Sequence, residues 1–416
     1  MKNILIICYS FPPFPGVGGR RWAKFAKYLA QKETYGIHVL CAQNPFEEES
    51  IWTKDVTHKN IKIHPLPVNY PRVMYKGTNS LFDKILYRLW KLYFSFRSNG
   101  VVFEKTMFWE KQLLKKASEL IEQEGIKNVI VSIPPYRLAS YSIKLKEKHP
   151  GINLIVDYRD PWTDNKSFHG FKDISPSRFA YEQNMEAKVI KGANMVVSVS
   201  DAMTRELKSR NIEPDKIITI PNGYDPAEIL PSAQKEANGN KLKFIYAGTL
   251  YNDLEYVVLP LITYLDKLGK TNPELYNRIS FEFYGNLNKE LKEKLSSSGN
   301  VVIHKPVPLA EMQEILSNCS FCVLITPPDY TVVFNTKFCE YLANRKPVLL
   351  FTYPCDASDF LVKNKLGFHI DPAHIEKGLD RLFNNVEDII TGFNAGFDIE
   401  PFNVIYLTSQ VEKILK

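Results

Sequence analysis

Several absences narrow the reading before any motif is found. No Asp-x-Asp occurs anywhere in the 416 residues, which argues against a diphosphate held through a metal at such a motif, and no metal or other cofactor is expected. Cysteine is sparse. Of Cys8, Cys41, Cys319, Cys322, Cys339 and Cys355, one pair forms a Cys-x-x-Cys, and neither a second pair nor histidines at ligand spacing stand nearby, so no zinc site is expected. Scattered through apolar runs, these thiols read as buried and reduced, in a cytosolic chain. No stretch is long and apolar enough to span a bilayer. The first apolar run, residues 4–8, is too short for a signal peptide and carries no cleavage pattern. Neither sign of charge dominates: the net charge is +7, and nucleic acid is not expected as a partner. What is present is a 44% hydrophobic, 12% aromatic chain of a length that favours two domains with sizeable cores.

The most informative stretch is residues 335–350, Asn-Thr-Lys-Phe-Cys-Glu-Tyr-Leu-Ala-Asn-Arg-Lys-Pro-Val-Leu-Leu. Asn335 or Thr336 caps a helix, Phe338, Tyr341 and Leu342 face inward, Asn344 closes it, and Pro347 precedes an apolar strand at 348–351. A strand at 321–326 comes before it, followed by a loop with Pro327, Pro328, Asp329 and Tyr330. The helix therefore opens on the carboxyl end of a parallel strand, where ligands bind in open α/β sheets. Its free N–H groups favour a phosphate, and Glu340, one turn inside, is placed to reach a ribose.

The chain begins with a buried strand (3–8), a glycine-rich turn (9–19), a helix from Arg20 and Arg21 to about Gln31 with Trp22, Phe25, Ala26 and Leu29 inward, and a strand at 38–42. A dinucleotide site fits poorly here. The spacing is not Gly-x-Gly-x-x-Gly, and the second strand ends Cys41-Ala42-Gln43-Asn44 with no acid for a ribose. The turn reads either as a backbone cradle at Gly18 and Gly19, with Arg20 and Arg21 adding charge-assisted bonds, or as a tight turn with solvated arginines. Residues 45–100 read as irregular, apart from a basic amphipathic helix at 81–96. Leu81, Ile85, Leu89 and Leu92 share one side of it, and Lys84, Arg88 and Lys91 fall mainly elsewhere. That helix either contacts an anionic membrane or a lipid-linked acceptor, or packs on the domain.

Further strand–helix alternation follows. Strands end at Ser132-Ile-Pro-Pro-Tyr136 and at Asp157-Tyr-Arg-Asp-Pro-Trp-Thr-Asp164, the second a cluster of three carboxylates with Arg159 and Trp162. Another strand ends at Pro221-Asn-Gly-Tyr-Asp225, where Asn222-Gly223 suits a tight turn. A polar linker at 230–240 precedes a second series. Its first strand ends in Gly248-Thr249, which can face a phosphate, and the chain closes with a short helix at 380–383 and a final helix at 404–415. Two doubly wound domains follow from this order, at residues 1–228 and 241–396, with residues 397–416 as a terminal segment.

Lys337-x-x-Glu340-Tyr-Leu-Ala-x-x-Lys346-Pro-Val-Leu resembles the donor-site helix of GT-B glycosyltransferases, particularly the retaining family 4 group. The turn Pro12-Pro-x-x-Gly-x-Gly-Gly-x-Arg21, the pair Ser132-x-Pro-Pro and Asp157-x-Arg-Asp-x-Trp162, and Pro221-Asn-Gly-x-Asp225 resemble the same group in the same order. The resemblance implies an α/β GT-B fold of two Rossmann-like domains facing across a cleft, with the last helix crossing back to the first domain. It implies metal-independent transfer of a sugar, with retention, from a nucleotide sugar to a glycan or lipid-linked acceptor, with closure excluding water. This would serve polysaccharide synthesis at the inner face of the membrane. By the same likeness, Gly248, Thr249, Asn335, Thr336, Lys337 and Glu340 bind the donor, and Gly18, Gly19, Arg20, Arg159, Trp162 and Asn222 line the acceptor side. Asp160 and Glu340 are the catalytic candidates, Asp160 as acceptor contact or general base. The chain departs from the pattern at Asn252, Asp253 and Glu255, where many members carry an Arg and a Lys, and at Val332, where the donor motif has a glutamate. Lys337 then supplies the cation. A nucleotide-sugar-binding protein without transfer activity and a GT-B nucleotide-sugar epimerase are the other readings.

Overall fold

The computed structural model describes residues 1–97, 104–164, 174–210, 213–229, 241–250, 254–287, 289–296, 298–327 and 334–416. They form two compact units, Met1–Pro221 with Val404–Lys416, and Asn222–Asn403. Each is a parallel sheet flanked by helices.

The first sheet contains β1 (Lys2–Cys8), β2 (Tyr35–Ala42), β3 (Ile61–Leu66), β4 (Asn128–Ile133), β5 (Asn153–Tyr158), β6 (Met195–Ser198) and β7 (Ile217–Thr219). Their order is β3-β2-β1-β4-β5-β6-β7. Most of these strands are buried along their length, as strands covered on both faces must be. β3 lies in a stretch that reads as irregular in sequence. It carries Pro65, which removes a ladder donor and is tolerated because β3 is an edge strand. The Arg20–Gln31 helix buries Trp22, Phe25, Ala26 and Leu29, the face expected from their spacing. The closing helix, Val404–Lys413, adds Val404, Leu407 and Val411 to the same core. Its end is tied down where the Asn128 side chain exchanges hydrogen bonds of 3.0 and 2.9 Å with the Lys416 backbone.

The second sheet contains β8 (Leu242–Ala247), β9 (Ile279–Tyr284), β10 (Val301–His304), β11 (Phe321–Ile325), β12 (Val348–Phe351) and β13 (Gly367–Ile370). The order is β10-β9-β8-β11-β12-β13. Phe244 on β8 stacks between Phe281 on β9 and Phe321 on β11, with ring centroids 4.6 and 5.0 Å apart. β13 and the Asp356–Lys363 helix are not signalled by periodicity, being only four and eight residues long. The chain enters the second unit at Asn222 rather than after residue 228, because the Tyr224 amide donates to the Phe402 carbonyl at 2.9 Å.

In both sheets the strand order reverses beside the first strand, between β1 and β4 and between β8 and β11. Crevices at the carboxyl ends of strands form at such switch points.

Candidate active site

In the second unit, the turn after β8 and the helix after β11 meet at the switch point. The Thr336–Ala343 helix is capped by Asn335, whose Oδ1 accepts from the Phe338 amide at 3.0 Å. That cap takes the third amide of the turn. Among the described residues the amides of Thr336 and Lys337 have no acceptor, as expected for a helix N-terminus. Phe338 and Leu342 are buried, and the buried Tyr341 reaches across so that its hydroxyl accepts from the Ala247 amide at 3.3 Å. The helix is thereby fixed to the end of β8.

Gly248 has φ +136°, and a Cβ there would lie 2.0 Å from Lys337 Nζ. The missing side chain is thus the space that the ammonium occupies. Lys337 Nζ also lies 5.2 Å from the centre of the Tyr246 ring, a cation–π contact. Burial pushes the lysine below its ordinary pKa, partly offset by Glu340 one turn on. Thr249 is half-buried, and its carbonyl accepts from the Tyr246 hydroxyl at 3.0 Å. Asn222 belongs to the same neighbourhood. Its Nδ2 donates to Phe334 O at 3.4 Å, and its carbonyl accepts from Cys339 Sγ at 3.2 Å. The structure thus brings together Gly248, Thr249, Asn335, Thr336, Lys337, Glu340 and Asn222. Tyr246 is the member that sequence reasoning missed; its place one step before Ala247-Gly248 was the available signal.

The first unit assembles its own end of strands from β1, β4 and β5. Gly19 is needed for close approach, since a Cβ there would stand 2.0 Å from the Ser10 carbonyl oxygen. The three carboxylates of 157–164 separate in function. Asp157 is fully buried, accepting from Trp22 Nε1 at 2.7 Å and Ser132 Oγ at 3.1 Å and pairing with Arg21 at 3.1 Å. Asp164 pairs with Arg210. Asp160, half-buried, has no hydrogen-bond partner among the described residues. Burial raises its pKa, with Arg159 partly opposing.

Four side chains expected to face a ligand make contacts within the first unit. Arg159 donates through its three nitrogens to the carbonyls of Ile133, Pro134 and Gly18, stapling the three loops together. Arg21 is engaged likewise, donating to the Ile220 and Pro221 carbonyls at 2.7 Å as well as to Asp157. Trp162 is buried, stacked on Tyr136 at 5.1 Å, with Nε1 donating to Glu182 at 2.8 Å. It supports the Asp160 loop from beneath. Arg20 is also buried, its guanidinium 5.5 Å from the Trp52 ring.

Comparison with known proteins decides the family. The model of Glycosyltransferase Family 4 matches residues 18–228, half of the chain. The chain belongs to glycosyltransferase family 4. No curated protein sequence matches it. Among solved structures it is similar to sucrose-phosphate synthase from Thermosynechococcus elongatus, at 11% identity and TM-score 0.67 over 100% of this chain and 98% of that one. It is similar to WaaG, a glycosyltransferase involved in lipopolysaccharide biosynthesis, at 12% identity and TM-score 0.62 over 99% of each. UDP-GlcNAc 2-epimerase from Neisseria meningitidis, bound to UDP-GlcNAc, is similar at 13% identity and TM-score 0.56 over 100% and 99%. These likenesses establish the two-domain GT-B fold.

Of the positions where this family 4 chain departs from the donor pattern, Asn252, Asp253 and Val332 lie outside the described residues, as do Pro328, Asp329 and Tyr330 of the adjoining loop. Glu255 opens the Glu255–Thr271 helix and pairs with Lys294 at 3.5 Å. Among the described residues no helix is long and apolar enough to cross a membrane.

Behind the Asp160 loop, Thr163 donates to Glu186, whose other carboxylate oxygen is buried without a partner among the described residues. Burial raises the Glu186 pKa from 4.5 to about 7. A carboxyl so raised favours the protonated folded state, so its contribution is present below pH 4.5 and is lost as pH rises towards 7. The loss amounts to about 3 kcal/mol at 1.36 kcal/mol per unit. Glu186→Gln is therefore expected to remove much of the fall in stability between pH 5 and 8. Urea unfolding of both proteins across that range measures it, and parallel pH curves would discard the assignment.

Proposed function

We propose that this family 4 member transfers a sugar from a nucleotide sugar to a glycan or lipid-linked acceptor with retention of configuration. The observation that supports it most is the Lys337 ammonium beside Gly248, at a helix N-terminus with open amides. The donor diphosphate lies there, held by the amides of Thr336 and Lys337 and by the turn at Gly248-Thr249, with Asn335 holding the helix cap and Glu340 on the ribose. As the bond from the anomeric carbon to the diphosphate breaks, the leaving oxygens gain charge, and the ammonium and amides stabilise it without a metal. Asp160 orients the acceptor hydroxyl or takes its proton as the new bond to the anomeric carbon forms. Arg159 and Trp162 act only by positioning the loop that carries Asp160. The setting proposed is polysaccharide synthesis on the cytoplasmic side of a membrane.

Calorimetric titration with UDP, GDP and their sugar conjugates tests the donor site. Tight binding of one base, weakened on the order of tenfold or more in Glu340→Ala by loss of a charged hydrogen bond, is the expected result. Absence of binding to the unaltered protein would remove the donor reading, and equal binding by both proteins would remove Glu340 from it. A base-ionised Asp160 predicts turnover that falls as pH drops through its raised pKa, with the acid limb above the usual aspartate range. An acid limb unchanged in Asp160→Asn would exclude that role.

The likeness to a UDP-GlcNAc 2-epimerase favours one second reading, epimerisation of the nucleotide sugar. A product that stays nucleotide-linked and forms without acceptor would select it.

A further inference from the structure

The Leu81–Arg97 helix leaves apolar surface uncovered on the first unit. Leu81, Phe82, Ile85, Leu89, Leu92 and Phe96 are each more than half exposed, Leu81 and Phe96 at 79% and 84%. At 3.6 residues per turn, these six fall within an arc of about 100°. The opposite side holds the helix to the body. Phe94 is buried, stacked on Tyr70 at 5.3 Å and on Trp90 at 5.6 Å. Lys84, Arg88 and Lys91 occupy the sector between the packed side and the apolar arc, and all three are exposed. The helix has one acidic residue, Asp83, and it is engaged in capping: its Oδ2 accepts from the Asn79 and Ser80 amides, both at 3.1 Å. Apart from Tyr93 and Ser95, the exposed residues of the helix are thus apolar or basic. The helix packs on the domain through its aromatic side, at Phe94 and Trp90, and leaves the side with Leu81, Ile85, Leu89 and Leu92 exposed.

We propose that this face docks the protein on an anionic lipid bilayer, with the helix in the plane of the interface. The apolar arc enters the acyl boundary, and the basic sector beside it lies at the level of the phosphates. Charge complementarity selects this occupant, because a second copy on the same face would set basic sectors against each other. A cavity of about 840 Å³ continues from the start of the helix. Asn79 and Asp83 of the helix start line it together with Arg72, the acidic Glu47 and Glu48, and Pro15 of the glycine-rich turn. A docked helix therefore sets one end of this cavity at the bilayer surface. Resting on the transfer reading above, this commits the acceptor to the lipid-linked class, its polar head entering the cavity from the membrane.

Sedimentation of the full chain with phosphatidylglycerol–phosphatidylcholine vesicles, and with vesicles of phosphatidylcholine alone, tests the docking. Binding to the anionic vesicles, reduced by salt, is expected. Lys84→Ala/Arg88→Ala/Lys91→Ala should weaken it on the order of 100-fold, from roughly a tenfold factor or less per basic residue. Leu89→Glu/Leu92→Glu, at exposed positions that leave the packed side untouched, should abolish it. No binding to the anionic vesicles, equal binding to the neutral ones, or full binding by either variant overturns the proposal. So does a dimer that dissociates in the Leu89→Glu/Leu92→Glu variant, which would assign the face to a second copy. Nucleotide-sugar titration on the same variants should match the unaltered protein. Its failure throughout would count against the transfer reading and leave the docking result standing.

Discussion

Lys337→Met is expected to lower turnover of the nucleotide-sugar donor by about 10²–10³-fold, the usual effect of removing one preorganised group that meets developing charge. Methionine keeps the aliphatic stem and removes the ammonium that lies against Gly248 and over the Tyr246 ring. The loss should fall on kcat more than on donor binding, because in the proposed site the diphosphate gains charge as it leaves and the first-turn amides remain to bind it. Burial holds the amine below the ordinary lysine range. In the proposed mechanism the cationic form is the active one, so turnover should decline as pH rises through this lowered pKa, and the decline should vanish in Lys337→Met. Thermal unfolding should change little. Wild-type kcat in the variant would show that the donor charge is met elsewhere.

The second large effect is on stability. Asp157→Ala is expected to destabilise the first unit by about 3–5 kcal/mol, the range for removing one member of a buried ion pair. The carboxylate receives Arg21, Trp22 Nε1 and Ser132 Oγ, and Arg21 in turn holds the Ile220 and Pro221 carbonyls. One buried charge therefore joins the ends of β4 and β5, the first helix and the segment after β7. With alanine, the guanidinium stays buried without its counter-charge, and the indole and hydroxyl donors lose their acceptor. Against a total of about 5–15 kcal/mol, that is a large fraction. Differential scanning calorimetry should show the transition of the first unit moving down while that of Asn222–Asn403 stays in place. A shift of less than about 1 kcal/mol would mean that water or relaxation replaces the pair.

These two residues show where local pattern ends. The strand–helix alternation, the inward faces of the first helix and of the Thr336–Ala343 helix, and the Asn335 cap are all legible in sequence. Each depends on residues within a few positions of one another: a period of apolar side chains, a cap, a proline stop. The family motifs are legible for the same reason, being short runs at fixed spacing. β3 and β13 were not legible, because a strand with a proline and a strand of four residues are stabilised by the neighbour they pair with.

The division of labour within one loop was also beyond the sequence. Asp157, Asp160 and Asp164 stand in one eight-residue run and look alike as carboxylates. One is locked by groups 25 and 135 positions away, one is paired with Arg210, and only Asp160 is left without such a partner among the described residues. Likewise, Arg21 and Arg159 read as anion ligands, and only the fold shows that backbone carbonyls of other loops accept hydrogen bonds from both. By itself the sequence determined the two α/β domains, the family and the capped helix at 336–343, since periodicity, capping and motif spacing are local properties. Only the tertiary structure decided which charges are spent on holding loops together, that Lys337 fills the space above Gly248, and that the apolar side of the 81–97 helix faces outward. Burial and charge pairing depend on residues far apart in the chain, and no local pattern records them.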